Sequence, residues 1–244
     1  MKKRITVITG CSKLDGLGYH LTNRLLDTGH HVIATVRNKE AAGICKSPIA
    51  NHQNLDVRIL DLCSESSIQE FSQKILNDYG YIDVLVNNAA NVMVGPVESA
   101  SDEDVQTTYQ TKVFGPLKLI RNFIPCMRER KSGLITTPGS IFSSMPLSVP
   151  GIGIYLSALV AFERIEDALA IELKSWNIKV AHFHPGPIVS SLSRFAGSRG
   201  DITEKYYPHY MEHAFAWFDQ NTEWQTSASV AEAFANMINQ STPD

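Results

Sequence analysis

Apolar positions along this 244-residue chain fall into two alternating patterns, short β-branched runs and stretches with helical spacing. Ile5-Thr-Val-Ile-Thr9, bounded by Gly10, predicts a buried strand. Leu17 to Leu26 carries apolar residues at helical intervals and is closed by Gly29. His31–Val36 and Leu55–Leu60 predict two more strands. Ser64 caps a helix whose apolar face is Ile68, Phe71, Ile75 and Leu76. A fourth strand follows at Ile82–Val86, then one long helix from about Asp102 to Met127 and a fifth strand at Gly133–Thr137. A helix over Tyr155–Ser175, a sixth strand at Ile178–Phe183 and a helix over Val230–Ile238 complete the pattern. Strands alternating with helices this long need right-handed crossovers, which give a doubly wound parallel sheet with helices on both faces.

No linker, repeat or low-complexity run interrupts residues 1–244, so a single α/β domain is expected. Only the segment about 191–225, rich in aromatics and serine, breaks the alternation, and it is expected to form a substrate lid. Composition adds exclusions. Hydrophobic residues at 43% suffice for a sizeable core, and 19% charged residues argue against disorder. A net charge of -3 gives no electrostatic reason to expect nucleic acid or an anionic membrane as partner. Cys11, Cys45, Cys63 and Cys126 form no CxxC pair and fit reduced thiols better than disulfides or zinc ligands. The apolar stretch after Met1-Lys-Lys-Arg4 is too short for a signal peptide, and no stretch reaches the roughly 18 apolar residues of a membrane span. The expected location is the cytoplasm.

The first strand-to-helix junction reads Thr9-Gly10-Cys11-Ser12-Lys13-Leu14-Asp15-Gly16-Leu17-Gly18. Glycines there let the backbone approach a pyrophosphate, and the free amides of the following helix stabilise negative charge. The junction resembles the TGxxxGxG loop of the short-chain dehydrogenases/reductases, with two additional residues between Ser12 and Gly16. The resemblance continues in order. Asp61-Leu62 looks like the family's adenine-contacting Asp, and Asn87-Asn88-Ala89-Ala90 like its NNAG segment. Pro185-Gly186-Pro187-Ile188-Val189-Ser190 is similar to the segment that holds the nicotinamide carboxamide. The resemblance implies a Rossmann-type three-layer fold and a pyridine nucleotide held by Gly10, Ser12, Lys13, Gly16, Leu17, Gly18, Asp61, Leu62, Asn88, Ala89, Pro185, Gly186, Ile188 and Ser190.

NAD-preferring members usually carry an acidic residue at the end of the second strand. Here the strand ends Ala34-Thr35-Val36-Arg37, with no carboxylate. Arg37, with Lys13 in the enlarged loop, suits a 2′-phosphate through charge-assisted bonds, so NADP(H) is the expected cofactor.

At the catalytic end the pattern departs from the family. The resemblance implies that Ser140 polarises a substrate carbonyl and that Tyr155 passes the proton; Ser143 and Ser144 are alternatives to Ser140, because two extra residues separate it from Tyr155. The family's Lys, four residues after the Tyr, is replaced by Leu159, and its Asn on the long helix by Lys112. Two readings of Lys112 stand. Its ammonium substitutes for the missing Lys beside Tyr155 or the ribose, or it reaches out to solvent and the machinery has decayed. Without a neighbouring cation, alcohol oxidation suffers because it needs tyrosinate; carbonyl reduction needs neutral Tyr, present at pH 7 unaided.

His209-x-x-x-His213 and His182-x-His184 are spaced for a shared face, yet no HExxH or carboxylate set completes a metal site, and none is expected. Tyr206, Tyr207, Tyr210, Met211, Phe215, Trp217 and Trp224 suit an apolar carbonyl compound, or simply pack the lid. The family's usual seventh strand is missing from the pattern, which leaves the long helices as the interface of an expected homodimer. The stretches Thr35-Val36-Arg37 and Gly95-Pro96-Val97-Glu98 look most like the hydroxysteroid- and retinol-dehydrogenase branch. The expected function is NADPH-dependent reduction of a medium-sized apolar carbonyl. The alternative is a relative that keeps the nucleotide site but acts as a dehydratase, isomerase or cyclase, or as a sensor or scaffold.

Overall fold

Six parallel strands, β1 (Ile5–Ile8), β2 (His31–Val36), β3 (Leu55–Ile59), β4 (Val84–Val86), β5 (Gly133–Pro138) and β6 (Ile178–Phe183), form one sheet in the order β3-β2-β1-β4-β5-β6. The computed structural model describes residues 3–144, 151–189, 205–207, 209, 216 and 223–241. Among them no seventh strand joins this sheet, and no helix is long and apolar enough to cross a membrane. The inner strands carry buried apolar residues on both faces, and the alternation sorts them. Val7, Ile33, Leu85 and Ile135 point into one core with Phe71, Leu119, Phe123 and Phe162. Ile8, Val32, Ala34, Val84, Val86 and Leu134 point into the other, with Leu21, Leu25 and Phe234.

The first core is roofed by α2 (Glu65–Tyr79), α4 (Gly115–Arg130) and α6 (Gly153–Glu172), the second by α1 (Leu17–Asp27) and α7 (Ser227–Ser241). The Ser64 hydroxyl accepts from the Ser67 amide, so the expected cap forms. Between β5 and α6 lies a short helix, α5 (Ile141–Ser144). Short parallel strands β7 (Ile188–Val189) and β8 (Gln225–Thr226) pair outside the main sheet, where no strand is expected from the sequence. Two residues each are too few for a period to show.

The single long helix expected over Asp102–Met127 is in fact three pieces: α3 (Asp102–Tyr109), a π-helical turn over Gln110–Phe114, and α4. Pro116 contributes to the break: it has no amide to bond the Lys112 carbonyl, and its ring crowds that carbonyl, although α4 carries a second proline, Pro125, within regular helix. The turn widens instead and is pinned against the end of β3, where Gln110 Nε2 donates to the Leu62 carbonyl at 3.2 Å.

Gly115 is demanded by that contact. A Cβ there would sit 2.6 Å from the Leu62 carbonyl oxygen and 2.9 Å from that of Gln110, both backbone atoms with little room to yield. Gly115→Ala is expected to lower stability by about 1–3 kcal/mol, although alanine ordinarily favours helix. A urea midpoint equal to or above that of the parent would contradict this.

Candidate active site

The strand order reverses between β1 and β4, and the crevice outside their carboxyl ends is where open α/β sheets bind ligands. Here the two ends are sewn together. Asn88 Nδ2 donates to the carbonyls of Thr9 at 2.8 Å and Gly10 at 3.1 Å, and the Ala89 amide donates to Thr9 Oγ1 at 2.9 Å. Gly10 has φ 76°, and a Cβ would stand 2.7 Å from Ala89 Cα. A Cβ on Gly18 would meet Asn88 Nδ2 at 2.5 Å. These two glycines set how closely the α1 turn sits against the β4 loop.

A cleft of about 310 Å³ opens at this point, within the usual range for small-molecule sites. Its floor at one end is the N-terminus of α1, capped by Gly16 with no side-chain hydrogen bond. The first-turn amides are therefore left without a capping side chain, an arrangement that fits a phosphate. The enlarged loop before them is not loose. The Gly43 amide donates to the Ser12 carbonyl at 2.8 Å, Gly16 to Lys13 at 3.1 Å, and Ser227 Oγ to the Asp15 carbonyl at 2.7 Å.

Of the residues expected from the sequence to hold the nucleotide, Gly10, Ser12, Lys13, Gly16, Leu17, Gly18, Arg37, Asp61, Leu62, Asn88, Ala89, Pro185 and Ile188 all line the cleft. Gly186 does not, and Ser190 lies outside the described residues. Tyr155 and Lys112 line the opposite end. Ser140 does not reach the cleft lining; it sits in the β5–α5 connection, where its Oγ accepts from the Phe142 amide at 3.3 Å. Gly139, one residue earlier, lines the wall instead. Of the aromatic lid residues, Tyr210, Met211, Phe215 and Trp217 lie outside the described residues, as does His213.

Tyr155 stands in the first turn of α6, and the same inward face continues through Leu159, Glu163 and Glu166. Leu159 is packed in the core at 2% exposure, so the position of the family's Lys is filled by hydrocarbon. Burial pushes the Tyr155 hydroxyl up to about 12, and the negative charge of Glu163 adds to the effect. Lys112, in the π turn, is 2% exposed; burial pushes its ammonium down to about 8, while Glu166 and then Glu163 pull it back up.

Behind this face lies a feature that the sequence reading missed, a two-rung ladder between α6 and β6. Glu163 Oε1 receives Ser143 Oγ at 2.5 Å and stands 3.1 Å from His184 Nε2. One turn along, Glu166 Oε1 receives Thr137 Oγ1 at 2.5 Å, and its Oε2 lies 3.2 Å from His182 Nδ1. His182 Nε2 in turn meets Asp167 Oδ1 at 3.1 Å. Carboxylates near both ring nitrogens favour the imidazolium form of His182. The Glu166 contact outweighs the cost of burial, and with Asp167 it raises His182 to about 9. The two imidazoles stack, 5.7 Å apart and 6° from parallel. Among the described residues no group of three or more His, Cys, Asp or Glu is arranged to hold a metal ion. The signal for the ladder was available, since Glu163 and Glu166 follow Tyr155 by eight and eleven residues, steps that return to one helical face.

Because the folded-state value of His182 is raised above its ordinary 6.5, its contribution to stability is complete below that pH and is lost as pH rises through about 9. His182→Asn is therefore expected to cost most near pH 6 and progressively less toward about pH 10, measured by urea unfolding. An equal loss at both ends of that range would contradict the assignment.

Comparison with known proteins agrees with this geometry. The family model described as short chain dehydrogenase matches residues 4–199. Retinol dehydrogenase 8 of Bos taurus is 28% identical, the match covering 98% of this chain and 79% of that protein. The NADPH-dependent pterin aldehyde reductase of Arabidopsis thaliana is 32% identical over 78% of this chain and 76% of its own length. The crystal structure of a short-chain dehydrogenase from Streptomyces avermitilis superposes with a TM-score of 0.82 at 27% identity, over 98% of this chain and 84% of that one. A phosphate-ready helix end, a sewn β1–β4 crevice and a family match over most of the length converge on one statement: this chain belongs to the short-chain dehydrogenase/reductase family of oxidoreductases.

Proposed function

We propose that the chain is an NADPH-dependent reductase of a medium-sized, mostly apolar ketone or aldehyde. The observation that carries this reading is the state of Tyr155: it faces the cleft, has Leu159 where the family places a cation, and holds its proton with a value of about 12. Such a hydroxyl is a poor base and an available acid. Oxidation of an alcohol would need it ionised, a population of roughly one in 10⁵ at pH 7 from the 1.36 kcal/mol that each unit represents. Reduction needs it protonated, which it is.

When bound, a nicotinamide supplies the hydride, and the chain's own residues do the rest. The amides at the start of α1 receive the pyrophosphate, and Asp61 and Leu62 border the adenine end of the cleft. Arg37 and Lys13, both exposed at its rim, supply positive charge for a 2′-phosphate where no carboxylate stands at the end of β2. The NADPH dependence in the name of the Arabidopsis relative supports the same choice. As the carbonyl carbon is reduced, Tyr155 gives its proton to the carbonyl oxygen. The Lys112 ammonium, which lines the same cleft, stabilises the tyrosinate left behind through its positive charge. Ser140 needs a shift of the β5–α5 connection to polarise the carbonyl, and Ser143 is engaged by Glu163. Buried Leu159 also favours a second reading, nucleotide binding without redox turnover.

Two measurements test these assignments. Arg37→Ala is expected to weaken NADPH about 10- to 100-fold in a fluorescence titration and to leave NADH nearly unchanged, the scale of one charge-assisted contact. Tighter binding of NADH than NADPH by the parent protein would refute the cofactor choice. With a panel of apolar aldehydes and ketones, loss of nicotinamide absorbance is expected, and Lys112→Met should slow it at least about tenfold. Binding without consumption across the panel would favour the second reading.

A further inference from the structure

A buried ammonium is expensive unless counter-charges face it. The surroundings of Lys112 supply them from one side. From α6 come Glu163 and Glu166, at 4% and 0% exposure, while the uncharged Tyr155 lines the same cleft as Lys112. Behind them stand His182 on β6 and His184 just after it, and Asp167 lies beyond His182. The other neighbouring groups are engaged elsewhere. Tyr109, at the end of α3, turns its hydroxyl to Ser157 at 3.1 Å. Lys118 on α4 pairs with Glu65 at 2.8 Å. Asp61, across the cleft, accepts from the Cys63 amide at 2.9 Å.

We infer that Glu166, supported by Glu163, is a positioning residue that keeps Lys112 charged and aimed at the Tyr155 end of the cleft, and that His182 opposes it by drawing on the same carboxylate. The inference rests on the reading of Lys112 as the substitute cation. In this arrangement the charge lost from α6 at Leu159 is rebuilt from across the groove: the cation comes from the π turn and the anions from the next two turns of α6. The hydrogen bonds from Thr137 to Glu166 and from Ser143 to Glu163 fix both carboxylates in place, so their field on Lys112 is preorganised. The direction in which each group moves the Lys112 ammonium agrees with this, since both glutamates raise it against burial.

The ladder makes opposite demands on two variants, which a purely structural role would not. Glu166→Gln removes an anion facing Lys112 and keeps the shape. His182→Asn removes a competing cation and frees the Glu166 charge. In ¹H–¹³C spectra of the protein labelled at the lysine ε-carbon, with Lys112 assigned by its absence in Lys112→Met, the titration midpoint of the parent is expected at about 8. It should fall by about one unit or more in Glu166→Gln and rise in His182→Asn. The alkaline limb of kcat/KM should move in the same two directions. Should Glu166→Gln fail to fold, Glu163→Gln is expected to give a smaller downward shift. Unmoved midpoints, or shifts of the same sign in both variants, would overturn the inference. Its failure is distinct from failure of the function itself: full turnover in Lys112→Met would sink the substitute-cation reading while leaving the two opposed shifts intact.

Discussion

The closeness of β1 to β4 at the carboxyl edge of the sheet is the constraint on which the rest of the site depends. Parallel strands that leave in opposite crossover directions must open a crevice where they part. The chain exploits that opening by holding its two lips at a fixed width, through Gly10 against Ala89, Gly18 against Asn88, and three hydrogen bonds from the Asn88-Ala89 segment to Thr9 and Gly10. With the lips held, α1 presents a bare N-terminus into the cleft, and β2 and β3 deliver Arg37 and Asp61 to its rim. A larger residue at Gly10 or Gly18 would not merely crowd a ligand; it would push apart the backbone that defines the site.

At the other end the governing term is the cost of burying charge. The enclosure of Lys112 and Glu166 is offset by the groups around the α6 carboxylates: Thr137 on Glu166 Oε1, Ser143 and His184 on Glu163 Oε1, and His182 3.2 Å from Glu166 Oε2. The same enclosure lowers Lys112 to about 8 and raises Tyr155 to about 12, which inverts their ordinary order and drives the two values apart. Tyrosine then stays protonated at neutral pH, and the lysine gives up its charge more readily than usual. In the proposed reading that asymmetry, rather than any one residue, favours proton donation to an oxygen over proton removal from an alcohol.

Much of this was legible in the sequence. Strand alternation and the glycine junction follow from spacing and residue type, because a parallel sheet buries its strands and leaves clear punctuation at its turns; most of the cleft-lining residues were reached through the family resemblance. What was not legible has physical reasons. The break at Gln110–Phe114 leaves the apolar period of the long helix intact on either side, so periodicity runs straight through it; Pro116 was the signal, through the amide it lacks. Ser140 matches the family in sequence position, but its neighbour Gly139 lines the cleft in its place. The spacing from Tyr155 places Glu163 and Glu166 on its face of α6, but their pairing with His184 and His182, 21 and 16 residues on, is revealed only by packing.

Amide hydrogen exchange with and without NADPH tests the central claim, that the α1 turn and the β4 loop together form a nucleotide cradle. Protection is predicted at residues 10–18 and 88–91 together, at equal ligand concentration dependence, with α2 and the far end of α4 unchanged. Protection confined to other surfaces, or none at saturating nucleotide, would contradict it.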